Sequence, residues 1–172
     1  NPKDLGLKSG KYSIVANIPY YLTSHLIRLI LTAWPKPKRA ILMVQKEVAK
    51  RIMAKPPDMN LLALSVQYYA KPEIITYVSR GSFRPSPTVD SAVIRLTPRT
   101  ECALPVEKEA LFFSILKSAF GGKRKQLINT LPTIIGKNKQ ETAELLTQIG
   151  LSPQTRPETV DMAHWLIFVN SI

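Results

Sequence analysis

The order of short apolar runs and helical patterns in the first hundred residues constrains the fold more than any other feature. Two runs of apolar, often β-branched residues, 12–16 and 40–44, are typical of strands buried in a parallel sheet. An amphipathic pattern follows the first run and is predicted to begin a helix at Thr23 or Ser24. A basic helix is predicted over residues 46–54, after the second run. This alternation predicts an α/β fold.

The later segments complete the pattern and then change it. Asn60 is predicted to cap an apolar helix, and residues 73–78 and 92–96 are predicted to be two more strands. The whole order is that of the closing half of a doubly wound sheet with an antiparallel hairpin at its edge. After a seam near residue 100, the pattern is only helical. The predicted helices there cover residues 107–120, 125–131, 139–149 and 160–170.

The charge balance favours a polyanionic partner. The chain carries 24 Lys and Arg against 12 Asp and Glu, a net charge of +12, and sixteen of those basic residues lie in the first hundred positions. The single Cys102 excludes a disulfide framework or a cysteine zinc site, and two isolated histidines argue against a metal cluster. No apolar run approaches the roughly 18 residues of a membrane-spanning helix. We therefore expect a cytoplasmic protein without a metal or a membrane span.

The residues most indicative of chemistry follow the first strand. In an open α/β sheet, ligands bind at the carboxyl ends of the strands, which is where Asn17-Ile18-Pro19-Tyr20 falls. The exocyclic amine of a nucleobase is a poor nucleophile, and two hydrogen-bond acceptors would favour its reactive form. Asn17 and a backbone carbonyl near Pro19 could supply them, while the Tyr20 ring stacks on the base. The alternative is that these four residues only form a strand-to-helix turn.

Three segments carry a family resemblance. Residues 17–20 resemble the N-[LI]-P-Y motif of amino-methyltransferases, and residues 83–93 resemble the F-x-P-x-P-x-V-D-S-A-V segment of the KsgA family. Residues 119–131 resemble a basic stretch in the helical C-terminal domain of that family. These enzymes are ribosomal RNA adenine dimethyltransferases that modify two adjacent adenosines near the 3′ end of small-subunit rRNA. The resemblance implies a partial Rossmann-like methyltransferase catalytic domain over 1–100 and a helical, rRNA-binding C-terminal domain over 101–172.

The resemblance also implies roles for individual residues. Asn17 and Pro19 would activate the amine, and Asn17 would lie close to the methyl donor, S-adenosylmethionine. Tyr20 would stack on a flipped adenine and Phe83 on its opposite face. The partner would be small-subunit rRNA or the pre-ribosomal small subunit, bound by a monomer.

Two basic clusters are predicted to contact the rRNA backbone. The first consists of Lys46, Lys50 and Arg51, and the second of Lys123, Arg124 and Lys125. A solvated helix face is the usual meaning of such clusters, but the net charge and the resemblance favour RNA.

The chain also departs from the family. The glycine-rich loop, the ribose-binding acidic residue and the aspartate near the cofactor adenine have no counterpart here, and the chain does not begin with Met. We therefore expect a fragment with an incomplete binding site for S-adenosylmethionine that is inactive alone. Two alternatives remain: a non-enzymatic rRNA-binding module for ribosome assembly, and a macrolide-resistance type methyltransferase acting on large-subunit rRNA.

Overall fold

The computed structural model describes residues 2–122 and 125–172. Its contacts divide the chain into two compact units. The first unit comprises the residues up to Met53 together with Tyr69–Glu101, and the second comprises Ala54–Tyr68 with Cys102–Ile172. This division differs from the predicted one at residues 54–68, which the sequence order had assigned to the first domain. The reason is packing, since the ring of Tyr68 stacks on that of Phe112 at a centroid distance of 4.9 Å.

The first unit is built on one four-stranded sheet. Its strands are β1 (Ser13–Asn17), β2 (Arg39–Gln45), β3 (Ala70–Val78) and β4 (Ser91–Pro98), in the spatial order β1-β2-β4-β3. Strand β1 is parallel to β2, whereas β4 is antiparallel to both β2 and β3. The predicted α/β class and the antiparallel edge hairpin are both confirmed.

One face of this sheet forms the core of the unit. Alternate residues of β2 and β4 on that face are fully buried and lie opposite one another, namely Ala40, Leu42 and Val44 with Leu96, Ile94 and Ala92. The prediction that the first strand is buried is wrong. Among the described residues only β2 pairs with β1, so β1 is an edge strand, and Val15 on its outer face is 80% exposed.

The helices of the first unit follow β1 and β2. A 3-10 turn at Tyr20–Leu22 leads into α1 (Thr23–Arg28), which widens into a π-helical turn at Leu29–Ala33, and α2 is Lys46–Ile52. The predicted cap at Thr23 or Ser24 is wrong. The 3-10 turn starts the helix earlier, so Thr23 lies inside it and its hydroxyl is buried.

The second unit is helical. It contains most of α3 (Leu61–Tyr69), then α4 (Val106–Phe120), α5 (Pro132–Ile135), α6 (Lys139–Gln148) and α7 (Met162–Asn170). The predicted cap of α3 is confirmed, because the Asn60 side chain accepts a hydrogen bond from the Ala63 amide at 3.0 Å. Phe112, Trp165 and Phe168 are among the largest fully buried side chains here.

The predicted helix over residues 125–131 is wrong. Only a 3-10 turn forms, at Leu127–Asn129. The amides of Leu127 and Ile128 donate to the carbonyls of Thr155 and Pro153, at 2.9 and 3.3 Å. Tertiary hydrogen bonds therefore outweigh the local helical pattern. In the described ranges, no helix has the length and apolar character needed to cross a membrane.

Candidate active site

Asn17 lies at the carboxyl end of β1, opposite Met43 of the parallel strand β2. Its side chain is exposed and makes no hydrogen bond within the part of the chain that the structure describes. The next residue, Ile18, is only 4% exposed and anchors the turn in the core. The Asn17 amide therefore projects from a fixed backbone with its donor and acceptor groups available to a ligand.

Pro19 begins the turn that follows Asn17, with φ −54° and ψ 131°. Its carbonyl accepts the Leu22 amide at 2.9 Å, which closes the 3-10 turn. The Tyr20 carbonyl in turn accepts the Thr23 amide. A carbonyl oxygen has two lone pairs, so the Pro19 oxygen keeps one for a second donor.

The Tyr20 side chain is held by a residue far away in sequence. Its hydroxyl lies 2.9 Å from the hydroxyl of Ser91, which is fully buried at the start of β4. The Tyr20 ring is half-buried. The far end of the ring is thus fixed, while part of its surface stays open to solvent.

Phe83 comes from the loop between β3 and β4. A 3-10 turn at Arg80–Ser82 precedes it, and the Ser79 hydroxyl accepts the Gly81 amide at 3.3 Å. The Phe83 side chain is half-buried. An apolar ring that is only partly covered offers a surface for stacking.

These residues line one open cleft of about 330 Å³. Its lining consists of Asn17, Ile18, Pro19, Tyr20, Phe83, Pro85 and Pro87. Two aromatic side chains, three prolines and one free amide therefore meet in a space the size of a small ligand site. Such a lining suits a flat, partly polar ring that presents an amine to the amide.

A second cleft, of about 500 Å³, is lined by the other end of the same loop and the start of α2. Its lining consists of Lys46, Glu47, Lys50, Arg80, Thr88, Val89 and Asp90. Three cationic side chains stand here against two carboxylates. Lys46 pairs with Asp90 at 3.1 Å, and its ammonium lies 5.5 Å from the centre of the Tyr77 ring.

Asp90 ties the base of the loop together. Its Oδ1 accepts the Arg80 amide at 3.2 Å, and its Oδ2 accepts the Lys46 ammonium at 3.1 Å. These hydrogen bonds, led by that of the Arg80 amide, lower the pKa of Asp90 below its usual range. Asp90 is therefore a carboxylate whose charged form is favoured by the folded loop.

The structure brings the predicted residues of the base site into one cleft, and the predicted basic residues that it describes belong to both units. Lys46 and Lys50 line the second cleft, and Arg51 is exposed on α2. Lys125 is exposed in the second unit. The predictions for Lys123 and Arg124 fall outside the described residues.

Sequence reasoning missed Arg80 and Ser91. Arg80 follows strand β3 without any motif of its own, so nothing in the sequence singled it out. Ser91 was part of the segment that carried the resemblance, and its place directly after Asp90 was the only available signal.

The cleft fits some parts of S-adenosylmethionine better than others. The exposed amide of Asn17 is a suitable polar contact near a transferred methyl group. The described lining of the cleft includes no carboxylate for ribose hydroxyls. In the described residues, no group of three His, Cys, Asp or Glu could hold a metal ion.

Comparisons with known proteins show the family to which the chain is related. A relative from Dehalococcoides mccartyi strain 195 named "Ribosomal RNA small subunit methyltransferase A" is 42% identical over 154 residues, covering 90% of this chain and 53% of the relative. A relative of the same name from Geobacillus thermodenitrificans is also 42% identical, covering 92% of this chain and 56% of the relative. The chain thus spans about half the length of the curated relatives that it matches.

Two solved structures share the fold. A dimethyladenosine transferase from Plasmodium falciparum superposes with a TM-score of 0.76 at 25% identity, covering 96% of this chain and 69% of that one. The 23S rRNA methyltransferase ErmE superposes with a TM-score of 0.73 at 22% identity, covering 97% and 68%, which supports the fold alone. Residues 5–172 match the sequence model described as "Ribosomal RNA adenine dimethylase". The chain therefore belongs to the ribosomal RNA adenine dimethylase family.

Proposed function

We propose that this chain forms the adenine-binding part of an enzyme that dimethylates the exocyclic amine of two adjacent adenosines near the 3′ end of small-subunit rRNA. The observation that carries the proposal is the cleft at the end of β1. There the free amide of Asn17 stands in one lining with the rings of Tyr20 and Phe83. Family membership supports the same chemistry.

The proposed mechanism uses groups of this chain to hold and activate the amine. Tyr20 and Phe83 stack on the two faces of a flipped adenine. The Asn17 side-chain oxygen accepts one amine hydrogen, and the remaining lone pair of the Pro19 carbonyl accepts the other. Both contacts favour a pyramidal nitrogen, whose lone pair is then available to form the new bond to carbon.

S-adenosylmethionine, when bound, supplies a methyl group on a positively charged sulfur. Asn17 lies beside both partners of the reaction in this proposal. The adenine nitrogen held by Asn17 and the Pro19 carbonyl would take up that methyl group and would give up one proton to the solvent that reaches the open cleft. The product amine would still carry one hydrogen, which one of the two acceptors could hold during a second transfer.

The basic residues of the second cleft are proposed to bind RNA phosphates. Lys46, Lys50 and Arg80 line it, and Arg51 is exposed on the same helix as Lys50. Lys123, Arg124 and Lys125 are proposed to add contacts from the second domain. We further propose that the protein acts as a monomer in the cytoplasm on rRNA or on the pre-ribosomal small subunit.

A chimera tests the proposed activity. In it, the part of the D. mccartyi relative outside the matched region is joined to this chain, and the product is offered small-subunit or large-subunit rRNA with S-adenosylmethionine. We expect dimethyladenosine at two adjacent positions of small-subunit rRNA, measured by mass spectrometry of nuclease digests. Methylation of large-subunit rRNA only would favour the macrolide-resistance type instead. Tight rRNA binding without methylation would favour a ribosome-assembly module.

A further inference from the structure

We propose that the consecutive residues Asp90 and Ser91 are the positioning element that sets the spacing of the two stacking rings. The inference rests on the proposed function, since it concerns how the adenine cleft is held open. Each residue acts on one ring, Ser91 on Tyr20 and Asp90 on the loop that carries Phe83. Neither needs to touch the base.

Ser91 fixes the hydroxyl end of the Tyr20 ring. Its hydroxyl is 2.9 Å from that of Tyr20, and the serine itself is fully buried. Tyr20 belongs to a 3-10 turn of only three residues, which alone gives little restraint to a side chain. Ser91 is paired with Gln45 in the β2–β4 ladder, so the hydroxyl that holds Tyr20 is itself fixed by the sheet.

Asp90 fixes the loop at both of its ends. The carboxylate accepts the amide of Arg80, where the loop begins, at 3.2 Å. The Asp90 carbonyl accepts the Lys46 amide at 2.9 Å, and its Oδ2 accepts the Lys46 ammonium at 3.1 Å. Within the loop, the Ser86 hydroxyl donates to the Arg80 carbonyl at 2.9 Å. The segment that carries Phe83 is thus closed into a ring of contacts anchored on α2.

The adjacency of the two residues gives the arrangement its function. One peptide bond separates the anchor of Tyr20 from the anchor of the Phe83 loop. The positions of both rings therefore depend on the start of β4. A shift of Asp90 or Ser91 would change the distance between the rings. A stacking site requires this, because a flat base needs a fixed separation between the two faces that enclose it.

The test uses this chain and an RNA hairpin of the small-subunit 3′ end in which 2-aminopurine replaces a target adenine. Stacking of a flipped 2-aminopurine between aromatic rings quenches its fluorescence, and anisotropy of a distant dye reports total RNA binding. Ser91→Ala and Tyr20→Phe each remove the same hydrogen bond. We expect each to weaken capture of the base about two- to tenfold and to lower the total RNA affinity, measured by anisotropy, by a smaller factor.

The double variant Ser91→Ala with Tyr20→Phe is the internal check. Both changes delete the same hydrogen bond. The double variant should therefore capture the base no more weakly than the weaker of the two single variants. Asp90→Asn should weaken capture less than Asp90→Ala, because the amide oxygen can still accept the Arg80 amide. Glu73→Gln is a matched control, since Glu73 forms an ion pair of similar exposure with Arg95 at 2.8 Å in the same sheet.

Two sets of outcomes separate this inference from the proposed function. If Tyr20→Ala and Phe83→Ala leave the quenching intact, the adenine cleft is wrong and the positioning role falls with it. If Tyr20→Ala and Phe83→Ala abolish quenching while Ser91→Ala and Asp90→Ala quench as much as Glu73→Gln does, the adenine cleft is supported and the positioning role is refuted. Additive effects of Ser91→Ala and Tyr20→Phe would also refute it.

Discussion

Replacing Asn17 with alanine should separate chemistry from folding and from RNA binding. The side chain is exposed and makes no hydrogen bond within the described residues. Its removal should therefore change the free energy of unfolding by no more than about 0.5 kcal/mol. Because it carries no charge, RNA affinity and its dependence on salt should be unchanged.

The rate of methylation should fall far more. Asn17 is one of two acceptors proposed for the reacting amine, and loss of one preorganised polar contact typically costs about 100- to 1000-fold, or about 2.7–4 kcal/mol. The rate is measured on the chimera at saturating S-adenosylmethionine, because Asn17 is also assigned to the donor. Asn17→Asp keeps an acceptor in place and should retain more activity than Asn17→Ala.

The control is Asn170→Ala, an exposed asparagine of the second unit. It should match the unchanged chimera in rate, RNA affinity and thermal stability. A normal methylation rate for Asn17→Ala would refute amine activation and leave residues 17–20 as a turn. A rate loss accompanied by an equal loss of RNA binding would point to a binding role instead.

Three further predictions concern other parts of the molecule. Phe83→Ala should weaken adenine capture by about 1–3 kcal/mol of stacking, measured from KM for a small-subunit hairpin, with the rate at saturation changed less. Lys50→Ala and Lys125→Ala should each reduce the slope of log K against log salt concentration for RNA binding, by about 0.7–0.9 for each phosphate that is no longer neutralised. The control Lys71→Ala, on strand β3, should leave the slope unchanged. Equal slopes for all three variants would show that Lys50 and Lys125 do not contact the RNA. Burial raises the pKa of Tyr68 to about 12, with the Glu109 charge adding to the effect, so its neutral form favours folding. That stabilisation is complete below about pH 10 and is lost as the pH rises towards 12. Denaturant titrations from pH 9 to 12 should show a larger loss for the unchanged chain than for Tyr68→Phe, in which Tyr12, whose pKa burial also raises, still contributes.

Local patterns were sufficient to predict most of the elements and the turn that follows β1. The end of an apolar strand followed by Asn17 and Pro19 defines a turn through short-range sterics alone. Asn60 likewise caps α3 through a hydrogen bond to a residue three positions away. Features of this kind depend on neighbours in sequence, so the sequence reveals them.

Features that depend on distant partners could not be predicted. The hydrogen bond between Tyr20 and Ser91 joins residues 71 positions apart. The segment 125–131 has helical spacing, but its amides bond to carbonyls at residues 153 and 155. The apolar run of β1 does not reveal that only β2 pairs with it among the described residues. Each of these features depends on which segment of the chain packs beside the residue concerned. The residues adjacent in sequence do not show which segment that is.

The sheet topology explains why the two halves of the cleft meet. Strands β1 and β2 are parallel, so Asn17 and Gln45 lie towards the same end of the sheet. Strand β4 is antiparallel to β2 and pairs Ser91 with Gln45, so β4 starts where its neighbours end. The loop that leads into β4 therefore lies at the same end of the sheet as Asn17, the last residue of β1. If β4 were parallel to β2, it would begin at the opposite end of the strands, and the loop before it would place Phe83 far from Tyr20. The antiparallel strand β4, which also supplies Ala92, Ile94 and Leu96 to the core face, is thus the element that would allow the proposed two-sided stacking site at the end of a parallel strand.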